Sequence, residues 1–192
     1  MGELLDEREA WRIRDFMANA AGREILGRFD FAKVGIAGAL ATNDWQSRWL
    51  SWADNLPPRT QPVLVRYVDQ AADPPDMGET INFAITKKIS TLLLDTWSKD
   101  SWNLLDWIPE NQLKSILNLA EKHGIAIALA GSLTPETVER TVVMSPSIIA
   151  VRTAACKAGR SSNLCARKIR RLRKALHCQS PNPGTLTTEI PR

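Results

Sequence analysis

The sequence predicts an α/β protein in which about five parallel strand-helix units follow an N-terminal helix. The first observation is the apolar run Leu92-Leu93-Leu94, which ends directly in Asp95, because buried parallel strands are near-continuous apolar runs. The second is that apolar runs ending in polar residues recur at 31–35, 125–130 and 148–151. The third is that helix-like segments separate these runs, and strands that alternate with helices form parallel sheets.

Each predicted strand is a short apolar run bounded by turn-forming residues. The strands are predicted at 31–36, 62–69, 91–94, 125–130 and 148–151. The segments between them carry apolar residues at helical spacing, and start signals such as Asp44, Pro109 and Thr134 open several of them. Helices are predicted at 3–28, 44–55, 78–88, 109–123 and 135–142, with a loop or short turn at 102–107.

Five strand-helix units leave two architectures open. They fit a small doubly wound sheet, and they also fit five-eighths of a (β/α)₈ barrel, which normally needs about 250 residues. In both architectures the polar residues that end parallel strands meet at one edge of the sheet, where α/β proteins hold their active sites. We take residues 1–176 as one domain, and the proline- and threonine-containing segment 177–192 as a disordered tail.

The net charge of +4 comes from one segment, 167–174, in which six of eight residues are Lys or Arg. One interpretation is a surface for nucleic acid or polyphosphate. The other is a final amphipathic helix with a solvated basic face. Its inward-facing positions would be Leu164, Ile169, Leu172 and Leu176. We favour the helix, because no aromatic residue is interleaved for base stacking, and we expect no nucleic-acid partner.

The composition argues against several other classes of protein. No apolar run approaches the ~20 residues that span a bilayer, and the acidic N-terminus does not resemble a signal peptide, so we expect a cytoplasmic protein with no membrane partner. The cysteines, Cys156, Cys165 and Cys178, form no CxxC pair, which argues against disulfides and zinc. His123 and His177 are too few for a histidine-rich metal site and make a Ser-His-Asp triad a poor hypothesis.

Five short segments, in order, carry a family resemblance. They are Phe31-Ala32-Lys33-Val34-Gly35, Tyr67-Val68-Asp69, Leu94-Asp95-Thr96 with Lys99-Asp100, Leu129-Ala130-Gly131-Ser132, and Val151-Arg152 with Ala154-Ala155-Cys156-Lys157. Together they resemble the (5-formylfuran-3-yl)methyl phosphate synthase family, and their spacing suits one barrel unit after another.

The resemblance implies a fold and a reaction. The family's enzymes are (β/α)₈ barrels similar to class I aldolases, so the fold it implies is an incomplete (β/α)₈ barrel. The implied reaction is a lyase reaction that condenses two glyceraldehyde 3-phosphate molecules to (5-formylfuran-3-yl)methyl phosphate, with loss of phosphate and water. This product feeds methanofuran-type cofactors of one-carbon metabolism. The reaction implies an imine-forming (Schiff-base) lysine and a small-molecule sugar phosphate as partner, with no metal or other cofactor.

The resemblance also assigns catalytic roles to three residues. Lys33 matches the family's proton-accepting lysine, which needs burial or neighbouring cations to lower its pKa. Asp95 matches an aspartate that relays protons or holds a lysine. Lys99 matches a second lysine four residues later. The alternatives are that Asp95 only pairs with a buried Lys33, and that Lys99 is a solvated loop lysine.

Phosphate binding is implied for two loops that follow the last two strands. Gly131 and Ser132 hold one position where barrels bind phosphate, and Arg152, Lys157 and Gly159 hold the other. Cys156, within the second loop, is better explained as a small buried side chain than as a nucleophile.

The sequence also departs from the family pattern. The family's imine-forming lysine lies on a strand upstream of every segment matched here, so we expect a truncated or remnant chain with poor turnover by itself. Thr153 and Ala158 stand where the family favours glycine. Their side chains would narrow the space in which backbone N–H groups bind a phosphate. The alternative function is a catalytically silent barrel remnant that binds a sugar phosphate or a partner chain. A homo-oligomer and a missing N-terminal segment both stay open.

Overall fold

Five parallel strands form a single sheet with a helix after each strand. A computed structural model describes residues 24–38, 44–98, 102–159 and 161–177. The strands are β1 (Phe31–Gly35), β2 (Gln61–Tyr67), β3 (Thr91–Asp95), β4 (Ala126–Leu129) and β5 (Ile148–Ile149). The helices are α1 (Trp45–Asp54), α2 (Met77–Thr86), α3 (Leu104–Trp107), α4 (Glu110–Lys122), α5 (Pro135–Val142) and α6 (Ala166–His177). Single 3₁₀ turns lie at Gln70–Ala72 and Thr153–Ala155.

The strands lie side by side in chain order, β1-β2-β3-β4-β5, and every neighbouring pair is parallel. This confirms the predicted parallel α/β sheet and the predicted strand order. A doubly wound sheet reverses direction at a switch point, and no reversal occurs among the described strands. The unidirectional order is consistent with part of a barrel wall, and β1 and β5 are the two edges of the sheet as described.

The two faces of the sheet have different surroundings. On the helix-covered face, Leu64, Leu92 and Ile127 lie in one register row and pack in a large core that includes residues of the flanking helices. On the opposite face, Val65 and Leu93 form a smaller cluster built from strand residues and Ala130, with no contribution from any described helix. We call this second face the helix-free face. Side chains alternate between the two faces with the period of two that strands impose.

The helices begin where capping side chains satisfy their first N–H groups. The Asp76 carboxylate accepts hydrogen bonds from the backbone N–H groups of Gly78 and Glu79 at the start of α2. At the start of α5, Thr134 and Thr137 form a reciprocal capping box. These caps matter because the first N–H groups of a helix have no partner within it.

Within the described residues, the predicted helix starts agree with the structure to within one residue, and two details differ. Segment 102–107, predicted as a loop or short turn, contains the helical turn α3, because Asn103 and Asp106 form a capping box there. In α6, Leu172 is buried and Ile169 packs on the core, but Leu176 near the end of the helix and Leu164, two residues before its start, are exposed. The prediction that all four face inward was therefore wrong at the two ends of the segment, because only its middle reaches the core.

Two predicted segments fall largely outside the described residues. Of the helix predicted at 3–28, only residues 24–28 are described, and 24–26 are helical. The predicted tail lies outside the described residues from 178 onward, so its disorder stays a prediction. None of the helices within the described ranges combines the length and apolar character needed to cross a membrane.

Replacing Thr134 by alanine should lower the free energy of unfolding by about 1 kcal/mol, because the cap of α5 is lost. Thr134→Ser keeps the capping oxygen and is the matched control. Urea denaturation of both variants measures the difference. An equal loss in both would show that the methyl group of Thr134, and not its hydroxyl, stabilises this helix.

Candidate active site at the carboxyl edge of the sheet

The carboxyl ends of β2, β3 and β4 form one continuous edge. Tyr67, the last residue of β2, is the register partner of Asp95, the last residue of β3. The backbone N–H of Val68 donates to the Asp95 carbonyl at 2.9 Å, and the N–H of Ala130 donates to the Leu94 carbonyl at 2.8 Å. The strand ends are therefore tied together up to the residues that leave the sheet.

Asp69 fixes the loop that follows β3. Its side chain is fully buried, and its two carboxylate oxygens accept the backbone N–H groups of Trp97 at 2.6 Å and Ser98 at 2.7 Å. Burial alone raises the pKa of Asp69, but the hydrogen bonds from Trp97 and Ser98 outweigh it and hold the pKa below its ordinary value. An ionised carboxylate thus joins the end of β2 to the loop after β3.

Tyr67 lies on the helix-free face between two contacts. A Cβ atom added to Gly35 would lie 2.3 Å from the Tyr67 Oη atom, so the phenol ring occupies the space directly over that glycine. On the other side, the Tyr67 and Trp97 rings meet edge to face, with centroids 5.3 Å apart. Burial, followed by the negative charges of Asp95 and Asp69, raises the pKa of Tyr67 well above its ordinary value. The phenol is therefore neutral.

The turn after β4 packs against the residue that follows Asp95. A Cβ atom on Gly131 would lie 2.8 Å from Thr96 Cγ2 and 2.9 Å from the Thr96 backbone nitrogen. Gly131 also has φ +96°, a conformation that side-chain-bearing residues rarely adopt. Ser132, next in the chain, is left-handed with φ +49°. The structure thus brings Gly131 and its turn beside the end of β3.

Asp95 and Lys33 lie on the same face but at different levels. Asp95 is half-buried, and its Oδ1 atom accepts the backbone N–H of Thr96 at 2.8 Å. Lys33 is the register partner of Val63, which places it on the helix-free face and four residues below the row of Tyr67. Lys33 is exposed, so the burial that the sequence argument assumed for it was wrong. The cause is that β1 is an edge strand of the sheet as described.

The second predicted phosphate loop, which follows β5, is in contact with α6. Arg152, Lys157 and Gly159 are all exposed. The Lys157 backbone N–H donates to the Asn163 carbonyl at 2.9 Å, and Lys168 of α6 donates to the carbonyls of Cys156 and Lys157 at 2.7 and 3.2 Å. This loop is thus held against α6.

Lys99 lies outside the described residues, so its role stays a prediction. Cys156 is buried, as its interpretation as a packing residue requires. Among the described residues, no group of three or more His, Cys, Asp or Glu side chains is arranged to hold a metal ion.

Two residues of this edge, Tyr67 and Asp69, were not among the predicted site residues. Tyr67 ends a largely buried strand and Asp69 lies two residues beyond it, so the rule that identified Asp95 also applies to them. What the sequence does not show is their partners, since Asp69 bonds to residues 28 and 29 positions away. Asp69 and Tyr67 therefore lie at the same edge of the sheet as Asp95.

Replacing Asp69 by asparagine should lower the free energy of unfolding at pH 7 by about 2 kcal/mol, since two buried N–H groups lose an ionised acceptor. The folded-state pKa of Asp69 is depressed, so its contribution is present above its ordinary pKa of about 3.9 and is lost as pH falls through the lower folded value. Urea denaturation from pH 7 down to pH 3 should show the two proteins converging at acid pH. A constant difference across this range would contradict the role of the charge.

Gly35→Ala should destabilise the protein by about 1–3 kcal/mol, because the new methyl group overlaps the Tyr67 ring. In a Tyr67→Ala background the same change should cost much less, since the overlapping atoms are gone. A double-mutant cycle by urea denaturation measures the coupling between the two positions. A coupling near zero would show that the glycine serves some purpose other than making room for the ring.

Comparison with known proteins identifies the family of this chain. The model of the family described as 4-HFC-P synthase matches residues 3–173. The chain is similar to (5-formylfuran-3-yl)methyl phosphate synthases of several archaea. That of Archaeoglobus fulgidus is 33% identical over 86 residues, which are 45% of this chain and 37% of that protein. That of Methanopyrus kandleri is 30% identical over 123 residues, which are 61% of this chain and 51% of that protein.

A longer alignment joins the chain to the (5-formylfuran-3-yl)methyl phosphate synthase of Methanobrevibacter smithii. The two are 27% identical over 150 residues, which are 73% of this chain and 60% of that protein. The matched part thus spans between 37% and 60% of the length of these three relatives. Because the family model covers most of the sequence, the chain belongs to the 4-HFC-P synthase family.

Proposed function

We propose that this chain takes part in the furan-forming reaction of its family, the condensation of two glyceraldehyde 3-phosphate molecules with loss of phosphate and water. The observation that carries the proposal is that Asp95, the aspartate assigned by the family resemblance, ends the middle strand of the sheet beside Tyr67. The carboxyl edge of a parallel sheet is where (β/α)₈ barrels hold their active sites. The product is a precursor of methanofuran-type cofactors.

The proposed fold is a section of a (β/α)₈ barrel. Two observations support it, the unidirectional strand order and the packing of the described helices on one face only. In this arrangement the helix-free face becomes the inner wall of the barrel, which carries Lys33, Gly35, Tyr67 and Asp95. The remaining strands of such a barrel are not among the described residues.

The chemistry assigned to these residues is proton transfer and positioning. Asp95 and Lys33 are the proposed proton acceptors for a carbon next to a carbonyl group, as in an aldolase-type lyase. The turn at Gly131 and Ser132 is the proposed site of one phosphate group, because its left-handed backbone lies next to Thr96 at the same edge. The lysine that forms the imine has no counterpart among the described strands, and Lys99 is the proposed second ammonium group.

A catalytically silent protein is the competing function. It is favoured by the exposure of Lys33, since an exposed amine lacks the dry surroundings that tune a catalytic lysine. A silent protein would still bind a triose phosphate at the edge of the sheet. Proton exchange separates the two functions, because it needs a base but no second substrate.

The chain should accelerate exchange of deuterium from solvent into the carbon next to the aldehyde of glyceraldehyde 3-phosphate, followed by NMR. Asp95→Asn should reduce this acceleration by about 100-fold and Lys33→Ala by at least tenfold, in the range of general-base contributions. Lys114→Ala, an exposed lysine of α4, is the control and should leave the rate unchanged.

Furan absorbance and phosphate release, followed in the same samples, should stay low, because the lysine that forms the imine has no counterpart among the described strands. Exchange no faster than in buffer, or equal in all variants, would favour the silent protein. Rapid furan formation by the chain alone would show that a lysine within it forms the imine.

A further inference from the structure

The phenol of Tyr67 is a polar group of the carboxyl edge to which the proposed reaction assigns no role. It lies on the helix-free face, where its own Cα is in register with that of Asp95 and its hydroxyl reaches back over Gly35 of β1. Gly35 is two residues beyond Lys33 on the same strand. The ring thus extends from the β3 side of the site, where Asp95 lies, toward the β1 side, where Lys33 lies.

The position of this hydroxyl is fixed by packing. The ring fits over a glycine that leaves no space for even a methyl group, and the edge-to-face contact with Trp97 holds its other side. Trp97 is in turn held by the hydrogen bond from its backbone N–H to Asp69. Such a supported side chain keeps its polar atom in place without the rotamer cost that a loop residue incurs on binding.

The hydroxyl has no hydrogen-bond partner among the described residues. The residue is half-buried, and its hydroxyl is not one of the buried side-chain atoms that lack a partner, so the oxygen is open to water or to a ligand. Among the described residues, the charged side chains that act on the phenol are the carboxylates of Asp95 and Asp69, which accept hydrogen bonds when they are ionised. Tyr67 therefore supplies a donor where its neighbours supply acceptors, and the group that suits a neutral donor is an oxygen of a ligand.

We propose that Tyr67 is a catalytic residue whose hydroxyl donates a hydrogen bond to the oxygen on the aldehyde carbon of a bound triose phosphate. This role rests on the proposed function, since it takes the triose phosphate as substrate. In the aldol step a carbon nucleophile forms a bond to the aldehyde carbon, and the π electron pair of the C=O bond moves onto the oxygen. The hydroxyl stabilises the resulting negative charge and keeps its own proton.

The charges around the phenol favour a donor role over a role as base. Asp95 and Asp69 both oppose ionisation of the phenol, and burial opposes it further, so the proton stays on the oxygen through the physiological pH range. A phenolate at this position would face two carboxylates and repel a phosphate ester. A neutral phenol has neither effect.

Binding of two ligands to two proteins tests the role. The ligands are glyceraldehyde 3-phosphate, which has an aldehyde, and glycerol 3-phosphate, which has a hydroxyl group in its place. The proteins are the wild type and Tyr67→Phe, which keeps the ring over Gly35 and against Trp97. Titration calorimetry should show that Tyr67→Phe weakens the aldehyde ligand about 5- to 10-fold, the effect of one neutral hydrogen bond, and changes the alcohol ligand less than about twofold.

Urea denaturation completes the test. The unfolding midpoint of Tyr67→Phe should match that of the wild type, since the hydroxyl has no partner among the described residues. A large loss of stability would show that the hydroxyl is a structural group, and equal weakening of both ligands would show that it does not recognise the aldehyde oxygen. Either result overturns the role of Tyr67 alone.

Failure of the proposed function has a different signature. If the wild type binds neither ligand, then the triose phosphate is the wrong substrate, and the role of Tyr67 falls with it. If the wild type binds both and Tyr67→Phe binds both equally well, the substrate class stands and only the role of Tyr67 is wrong.

Discussion

The carboxyl edge of this sheet depends on one buried carboxylate. Asp69 accepts two backbone N–H groups from the loop after β3, and these bonds decide where Trp97 and Ser98 lie. Trp97 holds the Tyr67 ring, and the loop begins directly after Asp95. A buried charge is costly unless it is fully hydrogen-bonded, so the two short bonds are a condition of the fold as well as of the site. The Asp69 carboxylate therefore stabilises this edge and also positions the side chains to which the proposed chemistry is assigned.

The contrast between the two faces of the sheet explains where function can reside. The helix-covered face is filled with leucine, isoleucine and valine, and the buried Arg66 donates there to the Pro75 carbonyl at 3.2 Å. The helix-free face carries small or aliphatic residues at its centre and polar ones at its carboxyl end. Lysine, tyrosine and aspartate can be held there without contact with the main core.

Local patterns in the sequence predicted the elements but not the cross-strand partners. The apolar runs and capping residues predicted all five strands and the start of α5, because each signal lies within a few neighbouring residues. Asp95 and Gly131 were identified for the same reason, since each directly follows a strand. The space over Gly35 belongs to a tyrosine on another strand, and no local pattern shows this. Likewise, the exposure of Lys33 depends on the absence of a neighbour on one side of β1 in the sheet as described.

The exposure of Lys33 connects the stability of β1 with the chemistry proposed for it. Within the described ranges, β1 pairs with β2 on one side only, so its other side presents unpaired N–H and C=O groups beside an exposed amine. A strand that paired with this edge would satisfy those groups and would also remove water from around Lys33. Both effects would follow from the same pairing event, and loss of water favours the uncharged form of an amine, which is the form that accepts a proton. Under the proposed function, pairing of a further strand with β1 and removal of water from around Lys33 are therefore one physical step.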